Sequence, residues 1–462
     1  MANIDTMSSV PDLRADLRGN VITPDDEAYD GARTLFYGGM DRHPALIARV
    51  ADTADVARVV SLARETGAPL TVRSGGHSIA GHSVIDDAIV VDLSSMRAMD
   101  IDVEGRTAWA ETGLTAGEYT TRAAEHGLAT GFGDTGSVGI GGITLGGGVG
   151  FLARKYGLTI DDLLAAEVVT ADGDVLEVNE GSHPDLFWAI RGGGGNFGVA
   201  TRFRFRLHEV GRILGGMLIL PATPETIVGF LTIADSAPDE LTTIANVMPA
   251  PPMPFVPEEH HGKPILLGLV TFAGDPEAGT AAVAPLRDLA EPIADMVRPM
   301  SYPEMYMPDE EGFHPVGVVR NMFVDELDHA DGGAILDALA SSTAMMSAVQ
   351  IRVLGGAVSR VPADATAYGH RARRMMINVA ALFETPEQAG QHEVWADELA
   401  ARLRGDGRGA YVNFLGDEGE GRIRDAYPEP TWNRLREIKG RYDPANRFRF
   451  NQNIPPATVE RG

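Results

Sequence analysis

Between residues 42 and 208 the apolar positions follow first one period and then another. From Asp52 to Thr66, Val56, Val59, Val60 and Ala63 share one helical face and Gly67 follows, so the spacing predicts a helix that stops at the glycine. PLTVR (69–73) and AIVVDLS (88–94) read as strands flanking the loop SGGHSIAGHS. Thr115 and Glu118 have capping-box spacing and open a second helix, expected to end at Gly127. In EVVTADGDVLEV (167–178), Asp172 and Gly173 separate two β-rich runs, a hairpin signal. TRFRFRL (201–207) sets Phe203, Phe205 and Leu207 against Arg202, Arg204 and Arg206, the pattern of a half-buried strand.

Beyond residue 209 the texture changes. Pro and Met rise, the long glycine clusters stop, and PAPPMPFVPEEHHGKP (249–264) reads as a loop. A boundary near Gly211 divides the chain into an N-terminal part (1–210), a middle part (211–409) and a C-terminal segment (410–462). The middle part has strand-like runs at ILLGLVTF (265–272), VQIRVLGG (349–356) and MMINVAALF (375–383), with helical patterns between them. An antiparallel sheet backed by helices is expected, and the fold class is α+β. In the last segment Trp432, Leu435 and Ile438 fall in helical register before YDPANRF and FNQNIPP. A chain of 462 residues exceeds what one core usually organises.

Glycine supplies the candidate chemistry. The 54 glycines are concentrated in a few stretches, a sign of backbone brought close to a ligand. Arg73-Ser74-Gly75-Gly76-His77-Ser78 follows a strand directly, and its two glycines can aim successive N–H groups at a pyrophosphate. The hexapeptide alone fits a glycine turn with a structural His equally well. Half of residues 131–150 are glycine, interleaved with Ile140, Ile143, Leu145 and Val149, which reads as a cradle for a large flat or phosphorylated cofactor. Gly131 to Gly136 formally matches G-x-G-x-x-G. A Rossmann site is not expected, because the preceding segment reads as a helix and no strand-turn-helix unit opens at Gly136. LFWAIRGGGGNFGVAT (186–201) runs a short helix into four glycines and a strand, a close approach to a ligand or a tightly packed helix. Tyr411, in YVNF, reads by itself as a packing residue.

Charge and cysteine narrow the classes. A formal charge of −26 with no basic stripe argues against nucleic-acid partners and anionic membrane surfaces. An anionic cofactor then has to be gripped by backbone N–H groups. With no cysteine, disulfides, thiolate nucleophiles and Cys-ligated metals are excluded. No His/Asp cluster has metal spacing, and no metal is expected. The first residues lack an apolar leader core and no apolar run has the length of a membrane span, so a cytoplasmic location is expected.

Three stretches, VRSGGHSIAGHS, GGITLGGGVGFLARKYGLTIDDLLAAEVVTADG and HPDLFWAIRGGGGNFGVAT, with the tail motifs YVNF, LREIKGRYDPANRF and FNQNIPP, resemble the berberine bridge enzyme-like flavoproteins. These form a branch of the vanillyl-alcohol oxidase superfamily with a PCMH-type FAD domain. The resemblance covers nearly the whole chain. It implies that the N-terminal part and the tail together make the FAD domain, with the middle sheet laid over the isoalloxazine. It gives His77 the covalent bond to FAD. It implies a pyrophosphate cradle from Arg73, Ser74, Gly75, Gly76, Ser78, Gly81 and His82, and a flavin lining from Thr135, Gly136, Ser137, Val138, Gly141, Gly142, Leu145 and Gly148. Val199 is expected at the adenine, and Asn451 and Asn453 at the ring end. The second covalent bond of many members comes from a Cys that aligns with Thr135, so this chain is expected to have one bond only.

The mechanism implied is hydride transfer from a small-molecule substrate to flavin N5, with oxygen reduced to hydrogen peroxide. Val138 stands where members admit or block oxygen, and a small β-branched residue there resembles an oxidase. Tyr411 with Asn413 takes the catalytic position, although relatives often carry Tyr where this chain has Phe414. A phenol with an ordinary pKa of about 10 needs a cation or another contact to act as a base. Met300, Met305, Met307, Met322, Met375 and Met376, with Tyr302, Tyr306 and Phe313, read either as core or as an apolar substrate pocket. The pocket reading favours an aromatic, terpenoid or polyketide-like substrate, oriented by Arg320, Gln350, Arg352 or Asn378. A dehydrogenase, an oxidative cyclase, a carbohydrate oxidase and a flavin-binding protein without turnover are the alternatives. Oligomeric state is left open.

Overall fold

The strands of the N-terminal part sort into two principal sheets. The computed structural model of the protein describes residues 9–308, 312–405 and 407–457. In the first sheet Leu46–Arg49 and Leu70–Arg73 both run parallel to Ile89–Asp92, with Asn20–Ile22 antiparallel at the edge. Parallel strands need a crossover, and the helix Thr53–Thr66 provides it. Asp52 caps that helix by accepting from the Asp55 N–H, and Gly67 at φ +70° ends it, as expected. Apolar residues on alternate sides of the sheet enter different cores. Leu46, Ile89 and Val91 meet the helix, while Ile47 and Val90 meet Tyr29, Ala32 and Leu35. The Ser74–Ser78 loop leaves this sheet at the carboxyl end of Leu70–Arg73.

The second sheet is antiparallel, in the order Met99–Asp102, Thr107–Glu111, Val199–Arg206, Leu163–Val169, Val175–Val178. Phe203 and Phe205 are buried while Arg202 and Arg206 are exposed, as the alternation predicts. The hairpin turns at Gly173, φ +89°. The capping box of Thr115 and Glu118 is present, but the helix ends at Ala124, and Gly127 closes the following turn.

The middle part forms a large antiparallel sheet whose main path runs Ala294–Asp295, Ile213–Pro221, Pro264–Phe272, Leu241–Pro249, Met346–Val353, Met375–Phe383, Val316–Val324. Helices Pro224–Ser236, Pro276–Arg287, His329–Ser341 and Ala389–Arg404 pack on one face, sharing a core with Val318, Ile351, Val379 and Ala381. Three long strands, Ile213–Pro221, Leu241–Pro249 and Val316–Val324, were not anticipated as strands. Gly215-Gly216, Thr242-Thr243 and Arg320-Asn321 interrupt their apolar runs. The strand expected at 349–356 lies at Met346–Val353, because Gly355 and Gly356, at φ +87° and +54°, turn the chain into another helix.

The tail packs against the N-terminal part. Leu435 and Ile438 of the helix Glu429–Tyr442 share a core with Phe187, Phe197 and Phe203. Lys439, fully buried, donates to Asp443 (2.7 Å), to the Asn196 carbonyl (2.6 Å) and to the Phe448 carbonyl (2.9 Å). Asn196 in turn donates to the Gln452 carbonyl and accepts from the Ile454 N–H. One buried node thus ties the third glycine stretch to the tail. Among the described residues no helix is long and apolar enough to cross a membrane.

Candidate active site

The glycine-rich loops meet backbone to backbone. A Cβ on Gly75 would fall 2.3 Å from the Gly139 nitrogen, so a side chain at that crossing would force the two loops apart. Ser74 pins the crossing: its hydroxyl donates to the Thr112 carbonyl at 2.6 Å and accepts from the Gly141 N–H at 3.3 Å. The run 131–150 is not loop throughout, since a short helix forms at Ile140–Gly146, with Gly139 at its start. The Rossmann arrangement is still absent, because the strand before it, Leu128–Ala129, pairs antiparallel with His208–Glu209 instead of entering a parallel sheet.

A cavity of about 640 Å³ lies along these loops, reaching from the small parallel sheet to the large sheet of the middle part. Ser74, Gly75, Gly76, His77, Ser78 and His82 line it from the first loop, and Thr135, Val138, Gly141, Gly142 and Leu145 from the second. Val199, Asn451, Tyr411 and Asn413 also face it.

Six expected residues lie outside the wall. The Arg73 guanidinium turns away to the Ala32 carbonyl. Gly81 sits beneath Met40, and Gly136 packs between Gly117 and Tyr306. The Ser137 hydroxyl and the Asn453 side-chain oxygen are buried without a partner among the described residues. Gly148 is behind the wall, at φ +78° against Thr159. Its N–H has a different task, donating to the Tyr411 phenol oxygen at 2.7 Å.

Tyr411 is buried, and its oxygen also accepts from Asn413 Nδ2 at 2.8 Å. Burial pushes the phenol up to about 12, while the Gly148 N–H, Asn413 and the nearby Arg352 charge pull it down. Arg352 is the positive charge among the groups that lower it, and Asp134 opposes that effect. The Arg352 guanidinium stands 4.9 Å from the centre of the Phe414 ring and pairs with Asp134 at 2.6 Å. Asp134 is on the second glycine loop and Arg352 on the large sheet, so the ion pair spans the cavity's two sides.

Strand alternation decides which middle residues reach the cavity. Asn246, Gln350 and Asn378 oppose one another on three neighbouring strands. Gln350 donates to Asn246 at 3.0 Å, and the Asn378 amide is 3.2 Å from Gln350. Gln350, Arg352 and Asn378 therefore lie on the expected face. Arg320 does not: one position out of phase, it points to the helices and pairs with Asp397 at 2.6 Å. For the methionine group the core reading holds. Met300, Met305 and Tyr302 fill one core, Met322 and Met375 another and Met376 a third, Tyr306 packs at the side of a core, and Met307 is exposed. Of that group only Phe313 lines the cavity, joined by Val319, Met346 and Leu382.

The sequence reading missed Phe36 and Tyr37, which come from the N-terminal 42 residues and carry no motif. Phe36 stacks on His77 with ring centres 4.2 Å apart and planes 22° from parallel.

The site suits FAD on its own terms. Among the described residues no Lys or Arg lines the cavity, so the backbone N–H groups of the glycine loops are the groups there that can meet phosphate charge, which suits the close-packed crossing. His82 Nε2 and Asn451 Oδ1, both at the wall, are buried without a partner among the described residues and can serve a ligand's polar groups. Leu70, Val72, Leu93, Val199 and Phe448 give one end an apolar slot for a flat ring. Among the described residues no cluster of His, Asp or Glu could hold a metal ion.

Comparison with known proteins agrees. Residues 44–179 match the family model of an FAD binding domain, and residues 410–455 match the model described as berberine and berberine like. The chain is 33% identical to (R)-6-hydroxynicotine oxidase of Paenarthrobacter nicotinovorans, over 97% of this chain and 99% of that one. It is 30% identical to the FAD-linked oxidoreductase YgaK of Bacillus subtilis, over 95% and 97% of the two chains. The crystal structure of 6-hydroxy-D-nicotine oxidase from Arthrobacter nicotinovorans superposes with a TM-score of 0.84 at 29% identity, covering 96% of this chain and 99% of that one. A chitooligosaccharide oxidase at 22% identity shares the fold, with a TM-score of 0.85 over 98% of this chain and 100% of that one. The chain therefore belongs to the berberine bridge enzyme-like FAD-linked oxidoreductases and is an FAD-dependent oxidase.

Proposed function

We propose that this oxidase carries FAD on a single covalent bond at His77 and oxidises a small, largely apolar or aromatic alcohol or amine, passing the electrons to oxygen. The observation that carries the reading is that His77, Val138 and the Tyr411–Asn413 pair all open on one cavity. With no cysteine in the chain and Thr135 at the position of the second bond, His77 is the only tether.

Bound FAD supplies a two-electron acceptor for the substrate's hydride and returns those electrons to dioxygen as hydrogen peroxide. The N–H groups of the glycine loops would hold its phosphates, and Val138, on the cavity wall, would govern the access of oxygen to it. Tyr411 takes the substrate's hydroxyl or amine proton on its phenol oxygen. Gly148 and Asn413 fix the direction of that oxygen, and Arg352 favours its ionised form. Phe414 meets the Tyr411 ring edge-on without a hydroxyl and Tyr368 packs on it from another side, while the ion pair of Arg352 with Asp134 supplies the charge near the base.

Phe313, Pro315, Val319, Met346 and Leu382 give the cavity an apolar wall on the sheet side, with Gln350 its polar exception. An aromatic ring with one or two polar atoms matches that lining better than a sugar, which needs a partner for each hydroxyl. A relative named for 6-hydroxynicotine is consistent with such a substrate.

Acid precipitation of the purified enzyme, followed by a peroxide screen over amines, alcohols and sugars, tests the reading. Yellow precipitate that turns colourless in His77→Ala, with peroxide from apolar amines or alcohols, is the expected result. A colourless wild-type precipitate at full flavin load removes the covalent bond, and turnover confined to sugars removes the substrate class.

A further inference from the structure

Phe36 is built into the site more firmly than its position in an unremarkable N-terminal segment implies. Its N–H donates to the Gly76 carbonyl at 3.2 Å, and its own carbonyl is 3.2 Å from His314 Nδ1, on the segment that leads into the strand Val316–Val324. Two residues later the Gly38 N–H donates to the Pro315 carbonyl at 3.0 Å, and a Cβ on Gly38 would fall 2.3 Å from the His314 carbonyl oxygen. The segment is thus a strap from the His77 loop to the large sheet, held at both ends. From it the Phe36 ring lies nearly flat on the His77 imidazole, and Tyr37 meets the Phe36 ring edge-on with centres 5.0 Å apart.

An imidazole nitrogen bonds to carbon through a lone pair in the plane of the ring. A ring stacked on the imidazole face constrains that plane from outside it, away from the in-plane lone-pair direction, which is the orientation that attack on one fixed carbon needs. We propose that Phe36 is a positioning residue for flavin attachment, holding the His77 imidazole edge-on to the flavin 8α-carbon. The inference rests on the proposed bond at His77. In that step one C–N bond forms between His77 and the 8α-carbon, one methyl C–H bond and the imidazole N–H bond break, and dioxygen takes up the two electrons and two protons as hydrogen peroxide. Strap and sheet are joined through His314 and Pro315, so the same contact couples attachment to docking of the middle part.

The test follows acid-stable flavin over time after FAD and air are added to full-length apoprotein from riboflavin-starved cells. Phe36→Leu keeps apolar bulk and loses the flat ring, while Phe36→Tyr restores the ring. Phe36→Leu should bind FAD to the wild-type load yet attach it slower by roughly tenfold or more, and Phe36→Tyr should recover the wild-type rate to within about twofold. Attachment by folded Phe36→Leu at the wild-type rate overturns the role of Phe36 and leaves the His77 bond standing. A wild-type protein without acid-stable flavin takes down both. If Phe36→Leu does not fold, Phe36→Met carries the same comparison, and slow attachment by Phe36→Tyr equal to that of Phe36→Met also overturns the proposal.

Discussion

The backbone N–H of Gly148 donates a hydrogen bond to the phenol oxygen of Tyr411 at 2.7 Å, joining the second glycine loop to the tail across 263 residues of sequence. Only glycine fits at position 148, where φ is +78° and a Cβ would fall 1.9 Å from Thr159 Oγ1. The loop that lines the cofactor cavity therefore also aims the residue assigned as base.

Tyr411→Phe removes the proton acceptor and leaves the Gly148 N–H and the Asn413 amide without their common partner. Flavin reduction by substrate in anaerobic stopped-flow should slow by roughly 10²- to 10⁴-fold. The folded state should lose about 1–3 kcal/mol from the unsatisfied buried donor, read from denaturant midpoints. Full-rate reduction in a well-folded variant removes Tyr411 from the chemistry.

Asn413 donates to the phenol oxygen, so it favours the ionised form and lowers the Tyr411 pKa. Asn413→Ala withdraws that donor and raises the pKa further above its already elevated value. Activity that needs the phenolate should then fall at any fixed pH, and the rising limb of the pH–rate profile should move to higher pH. A limb that does not move assigns the titration to another group.

Burial pushes the His82 imidazole down to about 4 from an ordinary value of 6.5. Between those values the unfolded chain holds a proton that the folded one lacks. Stability is therefore complete above pH 6.5 and falls as pH drops toward 4, by up to roughly 3 kcal/mol. Replacing the imidazole in His82→Gln should flatten the dependence of the urea midpoint on pH within that window. An unchanged slope means His82 titrates alike in both states.

Lys439 and Asp443 are both fully buried and 2.7 Å apart. Lys439→Met strands the Asp443 carboxylate, which still accepts from the Arg447 and Phe448 N–H groups but has lost its counter-charge. A loss of about 3–5 kcal/mol is expected in denaturant unfolding. Since Lys439 also holds the Asn196 carbonyl beside the third glycine stretch, FAD added to the apoprotein should bind more weakly before attachment as well. Wild-type stability in this variant means that the node does not hold the tail.

Most of the FAD half of the molecule was legible because its signals are local. The Asp52 cap, the Thr115 and Glu118 box, the Asp172-Gly173 turn and the alternation at Phe203 and Phe205 each act within a few residues. Strands such as Ile213–Pro221 and Leu241–Pro249 were hidden because glycine, threonine and asparagine break their apolar runs, and only pairing with neighbours makes them strands. Arg320 was misplaced for a related reason: with period 2, one residue of phase moves a side chain to the opposite face.

By itself the sequence determined the glycine segments, the absence of any thiol, the His at the end of the first glycine turn and hence the kind of cofactor the chain can cradle. These follow from residue identity and short-range backbone geometry. Only the tertiary structure decided that Arg73 and Gly148 serve the frame instead of the cavity wall, that Asp134 meets Arg352 across the site, and that Phe36 covers His77. Those contacts join residues far apart in the chain, and packing of the two halves, not local preference, brings them within a few ångströms.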